Sequence, residues 1–214
     1  AWDSAKNADY RLSFDYATAR GTVTDHWDGV IRKDPVDQKE IKLAALSCMV
    51  DYAFPNQYIS ESVRAQNPDL VFFAGDQIYE SVAGYSVVRT PTVNEVPRAA
   101  LNYLQKYWLF GWSFRDVLKD RPSVIIPDDH DVYHGNIWGN GGMAMPKIAK
   151  TTSSFGGYNM HPKWVNMVHR TQVSHLPDAY DPTPIKQGIT VYHTELNVGG
   201  VSFAILADRM FKSA

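Results

Sequence analysis

Residues 69–80 read DLVFFAGDQIYE. The apolar run Leu70–Ala74 has the length of a buried strand, and Asn67-Pro68 before it closes whatever precedes. The run stops at Gly75-Asp76, with Tyr79 and Glu80 close behind. Glycine lets the chain turn tightly at the strand's end. The stretch therefore reads as a central strand that delivers an aspartate, then a tyrosine one turn on.

Similar elements lie on either side. EIKLAALSC, residues 40–48, reads as a buried strand. NQYISESVRAQN, residues 56–67, carries Tyr58 and Val63 at helical spacing. Strand, helix and strand in succession predict a parallel βαβ unit. Over residues 94–122, Leu101, Leu104, Tyr107 and Trp108 recur at helical spacing, with Gly111 expected to interrupt. SVIIPDDHD, residues 123–131, is a third apolar strand, ending in acids. Residues 134–163 have the Gly, Asn and Ser content of a long loop, and KWVNMVHRTQVSHLP, residues 163–177, reads as a helix closed by Pro177. ITVYHTELNV and VSFAILADR, joined by Gly199-Gly200, are the two arms of a hairpin. YRLSFDY (10–16) and GTVTDHWDGVIRKDP (21–35) read as short strands with polar turns. Residues 1–30 are accordingly expected to end a preceding β-domain, and residues 31–214 to form the main α/β body.

Composition narrows the function. The 214 residues are 44% hydrophobic and carry a net charge of −2, enough for one sizeable core. There is no basic excess to suggest nucleic acid. No apolar run approaches the roughly 18 residues that span a bilayer. AWDSAKNADYRLSF at the N-terminus lacks the basic and apolar regions of a signal peptide. The lone cysteine, Cys48, has no intrachain partner for a disulfide, and its ordinary reading is a small buried hydrophobe.

The chemistry gathers at strand ends: Ser47-Cys48, then Gly75-Asp76 with Tyr79, then Asp128-Asp129-His130-Asp131, then Asp208-Arg209. Singly, each has a plain structural reading. Asp76 serves as a turn residue or helix cap, and Tyr79 or His130 as core. The acids of 128–131 make a solvated loop, and Arg209 an ion pair with Asp208 or another acid. Together they recur where open α/β sheets bind ligands, outside the carboxyl ends of the strands. Clustered acids repel unless a cation absorbs their charge. Thiolate, phenolate, carboxylate and imidazole suit a transition metal such as ferric iron, whereas oxygen-only positions suit a hard divalent ion. Arg209 offers a planar fork for phosphate oxygens.

GDQIYE resembles the GD-x-x-Y element of calcineurin-like metallophosphoesterases. With LSC upstream and DDHD downstream, the pattern resembles the alkaline phosphatase D family over about residues 30–212. The resemblance implies an αββα sandwich of the metallophosphoesterase type. It implies a dinuclear or multinuclear centre, Fe with Ca, with Zn or Mn as alternatives. Cys48, Asp76, Tyr79 and Asp129 would be metal ligands, Asp76 bridging. His130 would act on the substrate as catalytic group, and Arg209 would contact phosphate. The implied activity is hydrolysis of phosphate mono- or diesters by metal-activated water, on small molecules or phosphodiesters. A phospholipase D-like diesterase on the same scaffold and a non-catalytic domain holding structural Ca²⁺ are the rivals. Export to the periplasm or medium is also implied.

The sequence departs from the family at Pro127, where tryptophan is usual, at Tyr133-His134-Gly135-Asn136, and at Ala207-Asp208-Arg209. These bear on the pocket, which Trp138, Tyr158 and His161 are candidates to shape. The later histidine element Gly-Asp/His-x-His has no match among His134, His161, His169, His175 and His193. The chain is therefore expected to be the N-terminal part of an enzyme, truncated before the C-terminal part that completes the site. The roles of Asp128, Asp208 and His134 stay open.

Overall fold

The computed structural model describes residues 3–49, 54–81, 85–90, 92–133, 158, 160–207 and 209–211. Strands β1 (Ala8–Thr18) and β2 (Gly21–Ile31) form an antiparallel ribbon. There follow β3 (Leu43–Leu46), α1 (Gln57–Gln66), β4 (Leu70–Ala74), α2 (Val96–Leu118) and β5 (Ser123–Ile126). Helix α3 (Pro162–Val173) and the hairpin β6 (Tyr192–Val198) and β7 (Val201–Ala207) complete the order. β3, β4 and β5 lie side by side in that order, all parallel. The expected βαβ unit is present.

Strand alternation sorts the core into two. Val71, Phe73 and Ile125 face a helical layer that includes Tyr103, Phe110, Phe114 and Val117 of α2 and Trp164, Val165 and Val168 of α3. Phe73 meets Phe110 and Phe114 edge-on, at centroid distances of 5.1 and 5.2 Å. Leu70, Val124 and Ile126 face the other way and pack with Tyr192, Val198, Ile205 and Ala207 of the hairpin. Helices, parallel sheet and hairpin thus form successive layers, the period of two in each strand supplying both faces. This is a mixed α/β arrangement with three α-helices among the described residues. Among the described residues, β6 and β7 form a separate two-stranded sheet packed on the other face of the parallel one.

Three expectations are corrected. Helix α2 runs unbroken through Gly111. A lone glycine costs a helix about 1 kcal/mol against alanine, too little to break one pinned by Phe110 and Phe114. Its inward face is also different. Ala99, Tyr103, Lys106, Phe110, Ser113, Phe114 and Val117 are buried, while Leu101, Leu104 and Trp108 are exposed. Both faces carry apolar residues, so periodicity alone did not choose between them. Finally, β1 and β2 are not short: each has 11 residues. At the far hairpin, Gly199 (φ +59°) and Gly200 (φ +76°) adopt the paired positive φ values that a two-residue turn demands.

Candidate metal centre

The carboxyl ends of β3, β4 and β5 meet. Beyond β3 the chain turns at Cys48, whose backbone N–H donates to Gly75 O at 3.2 Å. Gly75 stands at φ +94°, and a Cβ there would run into the Cβ and backbone of Asp128. Only glycine lets the β4 and β5 ends approach so closely. Cys48 and Asp76 themselves hold left-handed backbones, φ +54° and +56°. Such conformations cost a non-glycine residue of order 1–3 kcal/mol and persist where surrounding structure enforces them.

Around Asp76 the side chains converge. Its Oδ2 lies 3.5 Å from Cys48 Sγ and 3.3 Å from the Tyr79 hydroxyl. Its Oδ1 accepts the His130 backbone N–H at 3.2 Å. Asp76, Asp129 and His130 offer ligand atoms that all lie within 4.8 Å of one another, a grouping that could hold a metal ion. Arg209 closes the cluster. Its Nη2 donates to Asp129 Oδ2 at 2.8 Å, and its Nε approaches Asp128 Oδ1 at 3.3 Å. Cys48, Asp76, Tyr79, Asp129, His130 and Arg209 therefore occupy one place. Cys48 is exposed rather than the buried hydrophobe of its ordinary reading.

His130 is gripped on two sides. Its Nδ1 is 2.8 Å from Glu80 Oε2, and its ring stacks on Tyr79 with centroids 4.5 Å apart and planes 29° apart. Beneath the cluster sits Asp131, fully buried. Its Oδ2 accepts the backbone N–H groups of Asp76 (2.7 Å) and Asp128 (2.9 Å). Its Oδ1 accepts Ile78 N–H (3.0 Å) and Gln172 Nε2 (2.8 Å). One carboxylate thus ties the β4 end, the β5 end and α3 together. Gln77 Nε2 adds bonds to Ile126 O and Gln172 Oε1.

The electrostatics follow from this crowding. Burial, then the neighbouring Asp129, push Asp76 above the usual carboxylate range. Burial and Asp129 likewise lift Asp128 to about 6, against the pull of Arg209. Burial raises Asp131 to about 7, opposed by its hydrogen bonds. The hydrogen bond to Glu80 lifts His130 to about 9 against the opposing effect of burial. Burial acts to raise Glu80, but the bond to His130 and nearby positive charge leave it below its ordinary value. Burial, then the charge of Asp76, drives the Tyr79 phenol well up. These are acids concentrated beyond what solvent relieves, with one arginine among them.

Other sequence candidates stand elsewhere or outside the described residues. His134, Trp138 and Asp208 belong to the latter. Tyr158 is buried in the helical core, and His161 caps α3 through Nδ1, which accepts Lys163 N–H at 3.2 Å. His175 Nε2 lies 3.0 Å from Ser123 O. His169 is buried in α3, and its Nε2 has no hydrogen-bond partner among the described residues. Sequence reasoning named Glu80 and Asp131 within their motifs without giving either a role, and did not reach Gln172. For Gln172 a signal existed: it continues the buried spacing of Val165 and Val168, an odd place for an amide.

Comparison with known proteins bears on the fold. No protein-family model matches the chain, and no curated protein matches it. In fold the chain is similar to PhoD. The match to that solved structure covers 94% of this chain with a TM-score of 0.55 at 14% identity. It spans 37% of the PhoD chain. At this identity the likeness speaks for the fold.

Proposed function

We propose that the strand-end cluster is the metal centre of a hydrolase acting on phosphate mono- or diesters. The observation that carries this reading is the convergence of Cys48, Asp76, Tyr79, Asp129, His130 and Arg209 from four separate segments onto two carboxylates. The PhoD-like fold and the motifs of the alkaline phosphatase D family support it.

The donor set fits a cation. Asp76 and Asp129 are buried acids beside a third, Asp128, and the positive charge nearest Asp129 is the Arg209 guanidinium. Asp76, with Cys48 and Tyr79 at its Oδ2 and ligand atoms of Asp129 and His130 within 4.8 Å, would be the carboxylate shared between ions. A thiol and a phenol both at Asp76 Oδ2 disfavour the oxygen-only structural Ca²⁺ site. Bound ions in such a centre supply Lewis acidity to a phosphoryl oxygen and lower the pKa of water.

The chain's own residues do the rest. Arg209, whose guanidinium bonds Asp129 and flanks Asp128, is the candidate to take phosphate oxygens in its planar fork. His130 is held beside the carboxylates and is the candidate to protonate the leaving oxygen. Asp131 ties the two strand ends together through three hydrogen bonds and anchors them to α3 through a fourth.

The test pairs metal analysis with p-nitrophenyl phosphate and bis-p-nitrophenyl phosphate assays under added Fe³⁺, Ca²⁺, Mn²⁺ or Zn²⁺. Ion binding that depends on Asp76, with turnover of at least one ester, is expected, and the preferred ester separates monoesterase from diesterase. Equal ion binding by wild type and Asp76→Asn would overturn the reading.

A further inference from the structure

Glu80 ends the motif that opens the sequence reading, yet none of the roles above uses it. The structure places its Oε2 2.8 Å from His130 Nδ1. The two residues are 50 positions apart in sequence, so this contact is a product of the fold. Both side chains are roughly 30% exposed, at 30% for Glu80 and 29% for His130. They sit at the rim of the cluster rather than in its core.

Glu80 is itself fixed. Its backbone carbonyl accepts Lys106 Nζ at 2.6 Å, and Lys106 is fully buried on α2 with its ammonium 4.5 Å from the Tyr133 ring centroid. His130 is held from two further directions. Its backbone N–H is on Asp76 Oδ1, and its ring lies on Tyr79. With Nδ1 engaged by a carboxylate and one face covered, the imidazole has one nitrogen left to act, Nε2.

We propose that Glu80 is a positioning residue that holds Nδ1–H and the ring orientation of His130, so that the protonated imidazole presents its Nε2 proton to the leaving oxygen of the phosphoester. The proposal rests on the phosphoesterase reading for its chemistry, but not for its geometry. Nδ1–H donates to the carboxylate, as in other carboxylate–histidine pairs where the acid orients the ring. In the step, the bond from phosphorus to the leaving oxygen breaks and its electron pair stays on that oxygen. The oxygen takes the Nε2 proton. Water delivers its hydroxyl to phosphorus and its remaining proton returns to Nε2. Glu80 gains and loses nothing. Tyr79 has two duties in this arrangement: its hydroxyl stays on Asp76, and its ring is the floor under His130.

The experiment has a spectroscopic arm and a kinetic arm. ¹⁵N–¹H NMR of the metal-free chain reads the His130 ring directly. A protected, downfield Nδ1–H is expected in wild type and in Glu80→Gln, whose amide oxygen still accepts. It is expected to vanish in Glu80→Ala. An unchanged His130 spectrum in Glu80→Ala would overturn the proposal. In the kinetic arm, Glu80→Ala lowers kcat about 10–100-fold, the range for a lost orienting partner, with KM and metal content little changed. Glu80→Gln recovers most of that loss. Added to His130→Ala, the Glu80→Ala change costs nothing more, because residues that act through one another are not additive. Full additivity, or loss of metal with Glu80→Ala, would overturn the role. If His130→Ala itself leaves turnover intact, the phosphoesterase role of His130 fails, and the NMR arm still decides whether Glu80 orients the ring.

Discussion

The β1–β2 ribbon and the parallel strands β3, β4 and β5 are both extended chain, yet different forces hold them. The ribbon pairs from Ala8↔Ile31 to Thr18↔Gly21 with no irregularity, and its partners are near neighbours in sequence. Its apolar residues stay in water: Leu12 is 62% and Phe14 67% exposed. The parallel strands are shorter and depend on partners far along the chain. Val71, Phe73 and Val124 are fully buried. The ribbon is a ladder with little core beneath it, while the sheet is a core with a site at its carboxyl edge. Only the second arrangement presses acids together, because only there do several buried strands stop at one level.

The largest contrast is expected within the site. Asp76→Asn removes the charge at the centre of the cluster and should abolish turnover together with ion binding. His130→Ala should lower kcat by roughly 10²–10⁴ while ion content stays at the wild-type level. Metal analysis beside steady-state kinetics separates the two. Equal ion loss in both variants would make His130 a ligand, as its ring's nearness to Asp76 and Asp129 allows.

Next in size is the core beneath the site. Phe73→Ala empties a fully buried position between Phe110 and Phe114 and should cost about 3–5 kcal/mol in urea unfolding. A cost under about 1 kcal/mol would mean that the sheet does not carry the fold's stability.

Acid should weaken the same layer. Burial pushes His169 down to about 4, from its ordinary 6.5. A histidine depressed in the folded state leaves the unfolded chain the readier to take a proton. Stability from this group is therefore complete above about pH 6.5 and falls steadily toward pH 4, by about 3 kcal/mol in all. His169→Gln should flatten that part of the stability–pH curve, and an unaltered slope would contradict the burial.

The smallest effect is expected in the ribbon. Phe14→Ala, in spite of its stack on Tyr16 at 5.6 Å, should change stability by less than about 0.5 kcal/mol. A loss comparable with that of Phe73→Ala would erase the distinction between ribbon and core.

How much of this was legible in the sequence follows from the range of the interactions. The apolar runs ending at Cys48, Asp76 and Asp128 announced strands and their order, because alternation and turn residues act locally. The inward face of α2 was not legible, since Leu101, Leu104 and Trp108 are as apolar as the residues that are buried. Nor were the contacts of Glu80, Asp131 and Gln172. Glu80 meets His130 across 50 residues, and Asp131 meets Gln172 across 41. No local pattern marks a carboxylate that will accept backbone N–H groups from a strand far away. The motif residues were found because their chemistry is unusual at a strand end. Their supports were missed because an acid beside an acid looks like a solvated loop.

The most direct test of a metal centre at the ends of β3, β4 and β5 is anomalous diffraction from crystals of the chain grown with Mn²⁺. The expected result is a peak in contact with the carboxylates of Asp76 and Asp129, with Arg209 drawn away from Asp129. A peak elsewhere, or none at saturating ion with the Arg209–Asp129 pair intact, would contradict it.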